Sequence, residues 1–153
     1  MNERAKDVFR RLLGRRDPSR ERLSEDQALS GQSIDVLCDL LASGTLNERE
    51  QLQALQGLSR VAMHAGYLEQ YKLVDAALPR VTNPDLALRN TAAHMVVSTI
   101  EVLEGVRWGQ EHQLELANLR KRVAPLLREG LALGVVEPTQ SLVERFLASI
   151  APH

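Results

Sequence analysis

The side chains of this sequence best suited to chemistry are four histidines, one cysteine and a scatter of carboxylates. His112 stands three residues before Glu115 and next to Glu111. On a helix that spacing puts an imidazole and a carboxylate on one face, which is half of a metal site. No second histidine motif supplies the remaining ligands, so the sequence predicts no bound metal. His64 falls at an expected helix C-terminus, where the helix dipole favours a cation. His94 reads as a polar residue of an inner helix, and His153 belongs to no motif. Glu101 and Glu104 have helical spacing near a helix end, where a solvated face explains them better than acid–base work. Cys38 lies in the apolar run "IDVLCDLLASG", where a buried thiol is inert. A single cysteine excludes an intrachain disulfide and a cysteine metal cluster. The chain holds no glycine-rich phosphate loop, no G-x-S-x-G and no H-E-x-x-H. The expectation is a protein with no catalytic residue and no cofactor, and no small-molecule substrate is evident.

One residue pair stands apart. "EVLEGVRWGQEHQ" contains the one tryptophan, Trp108, directly after Arg107 and between Gly105 and Gly109. Tryptophan and arginine are the types most enriched at binding hot spots. The segment also falls between two expected helix pairs, where a bulky ring can plug a gap. Both roles stay open at the level of sequence.

The elements that would position these residues are helical. Ala5, Val8, Phe9, Leu12 and Leu13 mark one face of an amphipathic helix over 3–15, followed by the linker "GRRDPSRER". "LSEDQALSG" starts another helix through the capping pair Ser24 and Gln27. Ile34, Leu37, Leu40 and Leu41 form the next apolar stripe, stopped at Gly44. Asn47 and Glu50 form a second capping pair, and Leu52, Leu55, Leu58, Val61 and Ala62 follow as a stripe. "YLEQYKLVDAALPRVT" is a helix ended near Pro79. Asn83 is the expected N-cap of the next helix, with Pro84 and Asp85 in its first turn. Its apolar face is Ala92, Ala93, Val96, Ile100 and Leu103, up to Gly105. A long helix follows from 110, kinked or broken at Pro125. A last helix has Leu142, Val143, Phe146, Leu147 and Ile150 as its apolar residues.

Composition agrees. Aromatic residues are 3% of the 153, while Leu, Ala and Val dominate an apolar fraction of 44%. Those proportions favour helix over strand. The net charge is −1, so no global field draws the chain to nucleic acid or membrane. The charge is uneven, however. Residues 1–22 carry eight Lys/Arg against four Asp/Glu. No apolar run approaches the ~20 residues of a membrane-spanning helix, and no signal peptide or presequence pattern opens the chain. A cytoplasmic protein is expected, organised as a basic helix and linker over 1–22 and one helical domain over 23–153.

Helices alternating in pairs suggest a repeat. A shift of 40 residues sets Leu41 on Val81, Leu46 on Leu86 and Arg49 on Arg89. At "ALPRVTNPDLALRNTAAHMVV" the chain resembles a HEAT repeat of the HEAT/armadillo-like helical superfamily. The matching residues are Leu78-Pro79, Asn83-Pro84-Asp85, Leu88-Arg89 and Ala92-Ala93. They span about a quarter of the chain, and the flanking pairs match only in part. The resemblance implies an all-α fold: a short right-handed array of about three antiparallel helix pairs, plus the N-terminal amphipathic helix. It also implies that the small pair lets helices approach and that the arginine pairs with acidic turn residues.

In such an array the second helix of each pair lines an inner groove. Helical phase places Gln53, Gln56, Arg60 and His64 there, then Asn90, His94 and Glu101, then Gln140 and Glu144. That mixed polar surface suits a peptide or protein partner. The expected contact residues are Gln56, Arg60, Asn90, His94, Glu101, Arg107 and Trp108. The expected function is a non-catalytic adaptor or scaffold that binds another protein or a second copy of itself. The alternative is association with nucleic acid through the basic arm Arg4, Lys6, Arg10, Arg11, Arg15 and Arg16.

Overall fold

A computed structural model describes residues 4, 33–62, 66–105 and 110–150. Among them there is no strand. The described residues are all-helical in architecture, and the chain divides into two compact units, Met1–Ala76 and Ala77–His153. The helices expected over 3–15 and from Ser24, and the linker between them, lie outside the described residues, apart from an exposed helical Arg4.

In the N-terminal unit, helix α1 covers 33–43 and buries Ile34, Leu37, Leu40 and Leu41. Gly44 ends it with a φ of 73°, a left-handed stop that a Cβ would strain. Helix α2 spans Glu48–Val61. Asn47 accepts from the Glu50 N–H at 2.8 Å, and Glu50 accepts from the Asn47 N–H at 3.1 Å. This reciprocal box satisfies two donors that a helix start leaves without partners. Asn47→Ala is expected to cost about 1 kcal/mol, read as a lower urea midpoint at unchanged slope.

The buried stripe of α2 is Ala54, Leu55, Gly57, Leu58 and Val61. The sequence expectation had Leu52 and Ala62 in it; both are half-buried, and small Ala54 and Gly57 take the close-packed positions instead. Helix α3 spans Tyr67–Ala77, burying Leu73, Val74 and Ala76. The Cys38 thiol donates to the Lys72 carbonyl at 3.7 Å, and Lys72 Nζ meets Asp35 at 2.8 Å. These contacts join α1 to α3. Burial, helped by Asp35 and Asp39, pushes the Cys38 thiol up to about 11. It is protonated at neutral pH and is a poor nucleophile there.

The C-terminal unit begins with a 3-10 turn, Leu78–Arg80, in which Pro79 occupies the opening of the turn. Proline thus ends α3 by withholding a donor and holding φ fixed. Helix α4 spans Leu86–Glu104. Its N-cap is Asp85, which accepts from the Leu88 N–H at 2.9 Å. Asn83, the expected cap, instead accepts from the Asp85 N–H at 2.8 Å. It builds the turn before the helix, so the start moves two residues along the chain.

Helix α5 spans Gln110–Leu133 without interruption, with Pro125 inside it. Of the kink or break expected there, a break does not occur. Pro125 is exposed, and the cost of one lost backbone bond is outweighed by the stripe Leu116, Leu119, Val123 and Leu127, which is buried on both sides of it. Helix α6 spans Thr139–Ala148 and buries Thr139, Val143 and Phe146. Leu142, Leu147 and Ile150 are only half-buried. Contacts at both ends of α4 show that α5 runs opposite to it: Arg89 near its start meets Leu133 and Gly134, and Glu104 at its end meets Arg120.

Helix α4 is the centre of this unit. Leu88, Arg89, Ala92, Ala93, Met95, Val96, Val97, Thr99, Ile100 and Leu103 are all buried. Arg89, only 6% exposed, is anchored entirely by carbonyls. Its Nε donates to Gly134 O at 2.7 Å, Nη1 to Asn83 O at 2.8 Å and Pro84 O at 3.1 Å, and Nη2 to Leu133 O at 3.3 Å. The expected pairing with acidic turn residues is therefore corrected. The end of α5 arrives at the turn carrying unsatisfied carbonyls, and a planar fork of donors meets several of them at once.

Candidate functional site

Helix α4 leaves one face open along its length. Asn90, Thr91, His94, Ser98 and Glu101 retain exposure, at steps of three and four that keep them on one stripe. Asn90 is half-buried, and its Oδ1 accepts from the Val136 N–H at 3.0 Å. His94 is exposed, with Nδ1 at 3.3 Å from Ser98 Oγ. Glu101 is exposed one turn before Glu104. Three expected contact residues thus share one helix face. Gln56 and Arg60 share a face of α2 in the other unit, also exposed. Gln140 and Glu144 are exposed on α6, joined at 3.1 Å. Arg107, Trp108, His64, Lys6, Arg10, Arg11, Arg15 and Arg16 lie outside the described residues.

The C-terminal end of α4 opens into a pocket of about 350 Å³, lined by Glu101, Glu104, Arg120, Arg145, Phe146 and Ser149. Arg120 holds it together. Its guanidinium bonds to Glu104 on α4 and to Ser149 Oγ beyond the end of α6, and lies 4.6 Å from the centre of the Phe146 ring. Ser149 Oγ in turn donates to the Phe146 carbonyl at 2.6 Å. Stacking on an aromatic face and charge-assisted bonds along its edge fix the plane of the guanidinium. Glu104 is therefore tied by an arginine, which departs from the freely solvated face expected for it.

No family model, curated protein or solved structure matches this chain.

Arg120, Arg145 and Ser149 were not among the expected site residues. A signal for Arg120 exists: it stands four residues after Leu116 and three before Val123, at the edge of an apolar stripe. In "LRKRV" that phase turns Arg120 toward the core, and it is half-buried while Lys121 and Arg122 are exposed. Which groups await it is a tertiary fact. Arg49, matched to Arg89 by the 40-residue shift, is exposed where Arg89 is buried, so the two do not hold equivalent positions. The His112 cluster has Glu111 and Glu115 exposed and His112 half-buried.

Proposed function

We propose that the chain is a non-catalytic helical adaptor of the HEAT/armadillo-like kind, binding another polypeptide through the open stripe of α4 and the pocket at its end. The observation that carries this reading is the packing of α4. A helix buried along its opposite face, from Leu88 to Leu103, holds His94 and Glu101 in fixed register on a solvent-facing line. Fixed groups lose little freedom on binding, which favours recognition. Exposed Val102, at 51%, adds an apolar contact beside Glu101. Kinship with HEAT repeats is supported by the turn chemistry of Leu78–Asp85 and by burial of the small pair Ala92-Ala93. A short right-handed array of antiparallel pairs remains the architecture proposed.

Wild-type protein and a His94→Glu/Glu101→Lys variant, used as paired baits, test this. Both are expected to melt at the same temperature. A protein retained by the first and lost from the second, and shown to bind when purified, supports the proposal. Identical retained sets contradict it.

The alternative, nucleic-acid association, draws on the excess of cations in 1–22. The rest of the N-terminal unit opposes it, since residues 23–76 carry three Lys/Arg against eight Asp/Glu. A basic arm working alone would give binding that weakens steeply with salt and disappears on deleting residues 1–22.

A further inference from the structure

The pocket holds two charged groups that its internal bonding does not use. Arg120 is bonded to Glu104 on α4 and to Ser149 just past α6, and it spans the gap between them. On the α4 side Glu101 is left without an ion pair, and on the α6 side so is Arg145; neither closes one with the other or with any other described residue. We propose that this pocket takes a small zwitterion of the amino-acid class, its ammonium against Glu101 and its carboxylate against Arg145. Such a ligand goes beyond the adaptor reading and does not depend on it.

Charge balance singles out a zwitterion. The lining has two carboxylates and two guanidiniums, so a simple anion or a simple cation meets as much repulsion as attraction. A ligand carrying both charges meets one complementary group at each end. Arginine reads a carboxylate through two parallel N–H bonds, and Glu101 offers an acceptor-only partner to an ammonium. The volume of about 350 Å³ lies at the small end of ligand pockets, which fits a single amino acid. Arg120, stacked on Phe146 and bonded to Glu104 and Ser149, gives the pocket one side that is already ordered.

The probes are L-leucine, N-acetyl-L-leucine without the ammonium, and L-leucinamide without the carboxylate. Each is titrated into the full-length ¹⁵N-labelled chain. L-leucine is expected to give saturable amide shifts at Glu101, Glu104, Arg145 and Ser149. Each blocked analogue should bind about tenfold more weakly or worse. Glu101→Gln should weaken L-leucine and L-leucinamide while leaving N-acetyl-L-leucine unchanged. Arg145→Gln should weaken L-leucine and N-acetyl-L-leucine while leaving L-leucinamide unchanged. Both side chains are exposed, and melting curves matching wild type confirm that the variants fold. Shifts that do not saturate, analogues that bind as well as L-leucine, or variants that bind like wild type each overturn the proposal.

Discussion

Arg89→Met is expected to destabilise the C-terminal unit by about 3 to 5 kcal/mol, at or above the top of the usual range for one substitution. Methionine matches much of the arginine stem but donates nothing. The carbonyls of Asn83, Pro84, Leu133 and Gly134 all lose a donor together. A buried acceptor left without a partner costs about 1–3 kcal/mol; these four bonds are part-buried, so each costs toward the low end and the four do not add fully. A domain of ordinary stability has roughly 5–15 kcal/mol in all, so much of it is removed. Arg89→Lys recovers a minor part, since a compact ammonium cannot reach along both edges as a guanidinium does. Thermal melts followed by circular dichroism check this. A midpoint lowered by about 10 °C or more is expected; a Met variant within about 0.5 kcal/mol of wild type would show that the carbonyls find water instead.

Gly130→Ala is expected to destabilise by about 1–3 kcal/mol, against the usual gain of up to ~1 kcal/mol from replacing glycine within a helix. A Cβ at position 130 would stand 2.5 Å from the Val81 carbonyl oxygen and 2.8 Å from Val81 Cγ1. Val81 is fully buried, and its N–H donates to Leu78 O at 3.2 Å. Backbone fixed in this way cannot yield cheaply, so the clash outweighs the gain in propensity. Helix α5 must then withdraw from the turn, straining the Arg89 bonds to its C-terminal end. Adding Val81→Ala removes the Cγ1 contact and leaves the nearer one, so it fails to rescue. A Gly130→Ala protein as stable as wild type, or full rescue by Val81→Ala, would contradict this packing.

These two positions mark where sequence reasoning ends. Signals carried within a few residues are legible: the Asn47–Glu50 box, the left-handed stop at Gly44 and the apolar stripe Ala92–Leu103 all form. Asn83 and Asp85 are both good caps, and local pattern does not rank them; the turn chemistry before α4 does. Pro125 predicts an interruption by its own chemistry, and packing on both sides of it prevails. A structural role for Arg89 is readable from its motif, but its partners are not, because two of them arrive from 44 and 45 residues away. Gly130 gives no sequence signal at all, since its constraint is the approach of Val81. In the candidate site, helical phase places His94 and Glu101 outward correctly, while the Arg120–Glu104–Ser149 network joins three separate segments that no local spacing connects.

The open stripe of α4 is the proposed recognition surface. Backbone hydrogen exchange, compared with and without the partner that the paired baits identify, tests it most directly. Slowed exchange is predicted over residues 90–104, extending to 145–149 at the pocket. Slowing confined to residues 1–22, or none along α4, would contradict it.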